Sequence, residues 1–132
     1  TFSLAAEITG DVTAAKEKVS GMKQAIAKVK SRTTSLKRGV REVRQLATDA
    51  QGLYASAKTK VAATEKIIKR AGQLPTSLDE ALAYAENLSK IDNMADVSVL
   101  EMNVGQLSAS ADKVTTSATP VAGFAGTKEG GN

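Results

Sequence analysis

From residue 8 to residue 71 the chain carries side chains in alternating steps of four and three: Ile8, Val12, Ala15, Val19, Met22, Ile26, Val29, Thr33, Leu36, Val40, Val43, Ala47, Ala50, Tyr54, Ala57, Val61, Thr64, Ile68, Ala71. Only Thr33 and Thr64 are not apolar. That alternation is the heptad seam of a helix that packs against other helices. No proline interrupts it, and a chain that is 42% hydrophobic rarely keeps such a register by accident. An unbroken helix over this span would be about 95 Å long. That exceeds what a compact domain of 132 residues needs. The expected fold is all-α, an elongated antiparallel bundle or coiled coil of about three long helices.

Ser3 is a candidate cap for the first helix, with Glu7 near its positive end. The doubtful place is Ser31-Arg32-Thr33-Thr34-Ser35, because hydroxyl side chains cap and turn chains. One reading runs the helix straight through; the other turns here and leaves helices of about 28 and 37 residues. The surviving register and the lack of Gly or Pro favour the continuous helix. Gly10, Gly21, Gly39 and Gly52 lie inside the pattern and read as close helix contacts or tolerated weak points, each costing up to about 1 kcal/mol relative to Ala.

Lys69 and Arg70 suit the last turn of this helix, Gly72 a left-handed stop, and Pro75 a block to continuation. Ser77 and Glu80 then form a capping box. The best-defined turn is therefore placed at 72–76. Helix 77–90 carries Leu78, Ala81, Leu82, Ala85 and Leu88 on one face. A second ladder runs Val97, Leu100, Val104, Leu107, Ala111, Val114. The nine residues from Leu88 to Val97 fit no helical repeat, so a break is expected near Asp92-Asn93, with one of the two as the new cap. The last helix should end near Ser117, giving a bundle domain of 1–117 and a disordered tail or stalk of 118–132. The acidic arm reaches back only about 40 residues. Val12, Val19, Met22, Ile26 and Val29 then need a third helix, a second chain or a missing segment. The 12–29 seam is thus a candidate for self-association or for a partner helix.

Aromatics are only Phe2, Tyr54, Tyr84 and Phe124, and alanine is abundant, which implies a narrow core. Cys and His are both absent, which removes thiolate and imidazole ligands and the commonest general base. There is no Walker loop, Rossmann fingerprint or nucleophile elbow. The carboxylate pairs Asp79/Glu80 and Asp92/Asp96 show no sign of a partner acid. Met22, Met94 and Met102 read as core filler. No catalytic residue, cofactor or metal site is expected. No run is long and apolar enough to span a membrane, and the chain opens on Thr1. A processed or truncated piece is expected, from which a signal or anchor segment would be lost without trace.

Charge is divided along the chain. Residues 1–72 hold 15 Lys+Arg and 6 Asp+Glu, and residues 73–132 hold 3 and 8. A basic arm followed by an acidic arm favours a hairpin. Within the basic arm, Lys23, Lys28, Lys30, Arg32, Lys37, Arg38, Arg41 and Arg44 face one acid, Glu42. Lys30, Arg32, Lys37, Arg38, Arg41 and Arg44 form a candidate anion-contacting face. The plainer reading is a solvated face balanced by Asp92, Asp96, Glu101 and Asp112 across the hairpin. Nucleic acid would gain from interleaved aromatics, which are absent; an anionic membrane surface is the other alternative. Asn87-Leu88-Ser89 matches the N-glycosylation sequon, which matters only if the chain is secreted.

The long Ala/Lys/Thr helical run ending at KRAGQLPTSLDEALAYAENLSK, with the Ala-Thr-Gly tail, resembles the alanine-rich insect-stage coat proteins of trypanosomes. These are the glutamic acid/alanine-rich and brucei alanine-rich proteins, distant relatives of the variant surface glycoproteins. The present chain departs in being basic and not Glu-rich. The resemblance implies an elongated bundle held on a lipid (GPI) anchor near its C-terminus, forming a protective cell-surface coat with residues 118–132 as the membrane-proximal stalk. It carries over no functional residue. The expected function is a non-enzymatic structural or surface coat protein. The alternatives are a surface receptor or ligand-binding bundle, recognisable by a kinked head near 89–96, and an intracellular coiled-coil adaptor.

Overall fold

The computed structural model describes residues 2–63, 69, 72–92 and 95–125, with side chains from 4 to 121 among them. It is an all-α bundle, and four helices have described bounds: α1 (Phe2–Lys30), α2 (Leu36–Ala62), α3 (Leu74–Ser89) and α4 (Val97–Ala125). Among the described residues there is no strand. Each helix packs mainly on two neighbours, α1 on α2 and α4, and α3 on α2 and α4. The helices alternate in direction, so the bundle is a closed antiparallel square. With 29 residues, α1 is about 43 Å long, under half the length of the continuous helix expected.

The seam is buried as the periodicity requires. Ile8, Val12, Ala15, Val19, Met22, Ile26 and Val29 on α1 and Val40, Val43, Ala47, Ala50, Tyr54, Ala57 and Val61 on α2 are all buried. Leu36 packs against the same cluster partly exposed, and Thr33 lies exposed in the turn. Thr64, Ile68 and Ala71 lie outside the described residues. Leu74, Leu78, Ala81, Ala85 and Leu88 of α3 and Leu100, Val104, Leu107, Ala111 and Val114 of α4 are buried in the same core. Ten of its 28 apolar residues are alanines, so the helices enclose a thin core. Met22 is buried in it, whereas Met102 is 58% exposed and fills nothing; Met94 lies outside the described residues.

The continuous helix through 31–35 is not formed. Arg32 takes a left-handed φ of 65°. Its N–H donates to Val29 O at 3.1 Å, and Thr33 N–H donates to Lys28 O at 3.0 Å. This pair of reversed bonds is a Schellman stop with Arg where Gly usually sits. The hydroxyls of Ser31 and Thr33 also donate to Lys28 O, both at 3.1 Å, which recruits them to close α1. Ser35 then caps α2, its hydroxyl accepting from Arg38 N–H at 3.2 Å. The turn makes four helices instead of about three. It also brings α2 and α4 onto Val12, Val19, Met22, Ile26 and Val29, so the 12–29 seam is covered within one chain.

Other boundaries also shift. α2 ends at Ala62, so Lys69 lies beyond its last turn, and Arg70 lies outside the described residues. Gly72 has the expected positive φ, 54°. Helix α3 begins at Leu74 with Pro75 in its first turn, where a missing N–H costs nothing. Ser77 is therefore inside the helix, not a cap; its hydroxyl meets that of Ser117 at 3.1 Å. The cap of α4 is Asp96, whose carboxylate accepts from Val99 N–H at 2.8 Å. The cap is therefore not at Asp92, and Asn93 lies outside the described residues. Helix α4 runs past Ser117 to Ala125 with Pro120 inside it, and Ala118 and Val121 are buried; residues 126–132 lie outside the described residues.

Two of the glycines lie at helix contacts. A Cβ on Gly39 would run into Val29 Cγ2, and one on Gly21 would sit 3.2 Å from Leu46 Cδ1; Gly10 and Gly52 face open space. Urea denaturation should show Gly39→Ala destabilising by about 1–2 kcal/mol, since Val29 is stiff at χ1. Gly10→Ala and Gly52→Ala should each stabilise by about 0.5–1 kcal/mol. By the same assay Arg32→Gly should stabilise by about 1 kcal/mol, because glycine takes the left-handed stop without Cβ strain. A loss of stability there would show that the Schellman stop is not what turns the chain.

Candidate functional site

The basic residues gather where the Schellman stop meets the first turns of α2. The stop ends α1 at Lys30 and leaves Arg32 exposed at the tip. The Ser35 cap starts α2, so Lys37, Arg38, Arg41 and Arg44 point outward from its first three turns. Helix α3 is only 16 residues and stops at Ser89, which lies beside Arg41 and Arg44 of α2; residues 90–92 and 95–96 beyond it are not helical. That leaves the basic turns less covered than the rest of α2.

Lys30 leaves the cluster, bridging to Glu101 at 3.1 Å. Arg32, Lys37, Arg38, Arg41 and Arg44 form no ion pair among the described residues. Of the acids expected to balance the run, Glu101 reaches it through Lys30. Asp112 pairs with Lys16 at 4.0 Å, and Asp96 caps α4. Of the six candidate residues, Lys30 is neutralised, while Arg32, Lys37, Arg38, Arg41 and Arg44 are exposed without an ion pair among the described residues. Arg41 and Arg44 also line a shallow groove with Gln45, Thr48 and Ser89. Gln45 and Thr48 follow Arg41 by four and seven, so the helical stripe was readable from spacing. Ser89 comes from another helix, and no local pattern marks it.

The other charges act as straps. Each of the four helix interfaces carries at least one ion pair: Lys60–Asp11 and Lys18–Asp49 between α1 and α2, Lys16–Asp112 between α1 and α4, Lys58–Asp79 between α2 and α3, and Lys113–Glu80 between α3 and α4. Lys60–Asp11 is part-buried, at 2.9 Å, and the side chains of the other four pairs are more exposed. Exposed pairs of this kind contribute about 0–1 kcal/mol each and mainly set register. Asp79 and Glu80 are therefore occupied by lysines. Among the described residues no group of acidic side chains is placed to hold a metal.

Asn87 is exposed in the last turn of α3, while Leu88 is buried and the Ser89 hydroxyl donates to Glu86 O at 2.7 Å. The neighbouring Glu86 is held below the usual carboxylate range by its hydrogen bond and charge contact with Lys90. No described helix is long and apolar enough to cross a membrane. No family profile, curated protein or solved structure matches this chain.

One titratable group lies in the core. Tyr54 is 1% exposed and its hydroxyl has no protein partner, as is also true of Ser110. Burial first, and the charge of Asp112 second, push the Tyr54 phenol up to about 12. A raised folded-state pKa favours the native state fully below pH 10, the unfolded value, and the advantage is lost as pH rises towards 12. Between those limits Tyr54 should cost the wild type about 3 kcal/mol that Tyr54→Phe does not lose. Denaturation of both proteins from pH 8 to 12 checks this; parallel curves would contradict it.

Proposed function

We propose that this chain is a non-enzymatic structural module of a cell surface, a helical bundle that stands on a membrane and presents its far end outward. The observation that carries the reading is the position of the helix ends. Thr9, Val12 and Thr13 near the start of α1 lie beside Thr115, Ala118 and Thr119 near the end of α4. The start of α1 and the end of α4 are thus together at one end. At the opposite end lie the 31–35 turn, the end of α3 at Ser89 and the start of α4 at Val97. A module attached through the first end, by residues outside this chain, holds the second about 40 Å away. A thin alanine-rich core and ion-pair straps on every interface suit a spacer. The resemblance of the Ala/Lys/Thr run and the Ala-Thr-Gly tail to lipid-anchored coat proteins of trypanosomes agrees with the same reading.

The five unpaired cations near the far end favour a second reading, a surface receptor for an anionic ligand. The adaptor reading needs an uncovered apolar seam, and residues 12–29 are covered by the chain's own α2 and α4.

Antibodies raised against the purified chain should stain intact cells that express the full-length gene. Phospholipase treatment should release the antigen. Staining only after permeabilisation would end the surface reading.

A further inference from the structure

Four of the chain's five arginines, Arg32, Arg38, Arg41 and Arg44, fall within 13 residues, while its lysines are spread along the chain. Lys37 and Arg38 occupy the second and third positions of α2, whose first turn holds no acid. The amino end of a helix is already positive, so cations there oppose local stability. None of these side chains is offset by an ion pair among the described residues. A charge pattern that breaks the local rule without a compensating internal contact marks a binding surface.

We propose that this stripe binds a linear sulfated polysaccharide. Lys37, Arg41 and Arg44, at steps of four and three, line one face of α2 with Arg38 beside them and Arg32 beyond the turn. They repeat about once per 5.4 Å helical turn and so track a chain bearing charges in series. The guanidinium fork fits tetrahedral oxyanions in two-point contact. The groove beside them offers few other donors. Thr48 already donates to Arg44 O at 3.0 Å and Ser89 to Glu86 O at 2.7 Å. Recognition therefore rests on charge and guanidinium geometry. No aromatic side chain is part of the stripe or its groove, so bases would find no stacking platform. The choice of an extracellular polysaccharide rests on the outward-facing reading above; the anion binding itself does not.

Heparin, titrated calorimetrically into the purified chain across a salt series, tests this. Binding should weaken steeply with salt, as several counterions are released. The triple variant Arg38→Gln, Arg41→Gln, Arg44→Gln should lose at least about tenfold in affinity, and Lys16→Gln, Lys58→Gln, Lys113→Gln less than about twofold. All six side chains are exposed, so both variants should keep the wild-type circular dichroism. If the arginine triple loses helicity, the Arg41→Gln, Arg44→Gln double variant gives the same comparison. The proposal is overturned by no heparin binding at about 50 mM salt, by equal losses in the two triples, or by tighter binding of duplex DNA than of heparin. Purified-protein binding and cell staining are separate readouts, so failure of one reading does not imitate failure of the other.

Discussion

Burial of the seam from Ile8 to Val61 is the constraint on which everything else rests. No single partner arm of this chain is long enough to cover that seam as one rod. The hydrophobic cost of leaving half of it in water, about 25 cal/mol for each Å² of apolar surface, is met by folding the seam against itself. Val29 lies against Gly39, and Leu46 against Gly21, at the two contacts where the helices close together. Helix α4 then covers the remaining face of α1, and α3 that of α2. Because the fold is a square of neighbours around small side chains, a single residue as large as Tyr54 sits in the core with its hydroxyl unpartnered.

Charge does two different jobs in this frame. Along the interfaces, lysines and carboxylates from adjacent helices meet in pairs and reinforce one register of the bundle. At the corner of α1 and α2 the arginines form no ion pair among the described residues. The difference is geometric: the acidic arm lies over most of the basic one, but α3 ends at Ser89, short of the first turns of α2. The polarity of the two halves of the chain thus leaves a residue of positive charge at the end of the bundle away from the start of α1.

Much of this was legible in the residues. The seam positions, the Gly72 stop, the α4 ladder from Leu100 to Val114 and the cluster of cations could all be read from spacing. Three kinds of boundary could not. Arg32 takes a left-handed conformation that its side chain does not advertise, and the heptad register passes through the reversal because the turn happens to preserve phase. Pro75 and Ser77 read as a stop and a cap, yet Pro is tolerated in a first turn, and Ser77 finds its partner on another helix at Ser117. The end of α4 looked like tail because its composition is poor in charge, but Ala118 and Val121 are small enough to fit the core.

The amino-acid sequence alone determined that the chain is helical, which face of each helix is apolar, and where its cations gather, because side-chain periodicity and charge are local properties. Only the tertiary structure decided how many helices there are, that α1 is covered by its own chain, and which charges remain unpaired. Those depend on how distant faces meet: on a backbone reversal at Arg32 and on the short reach of α3, neither of which is written in any one segment.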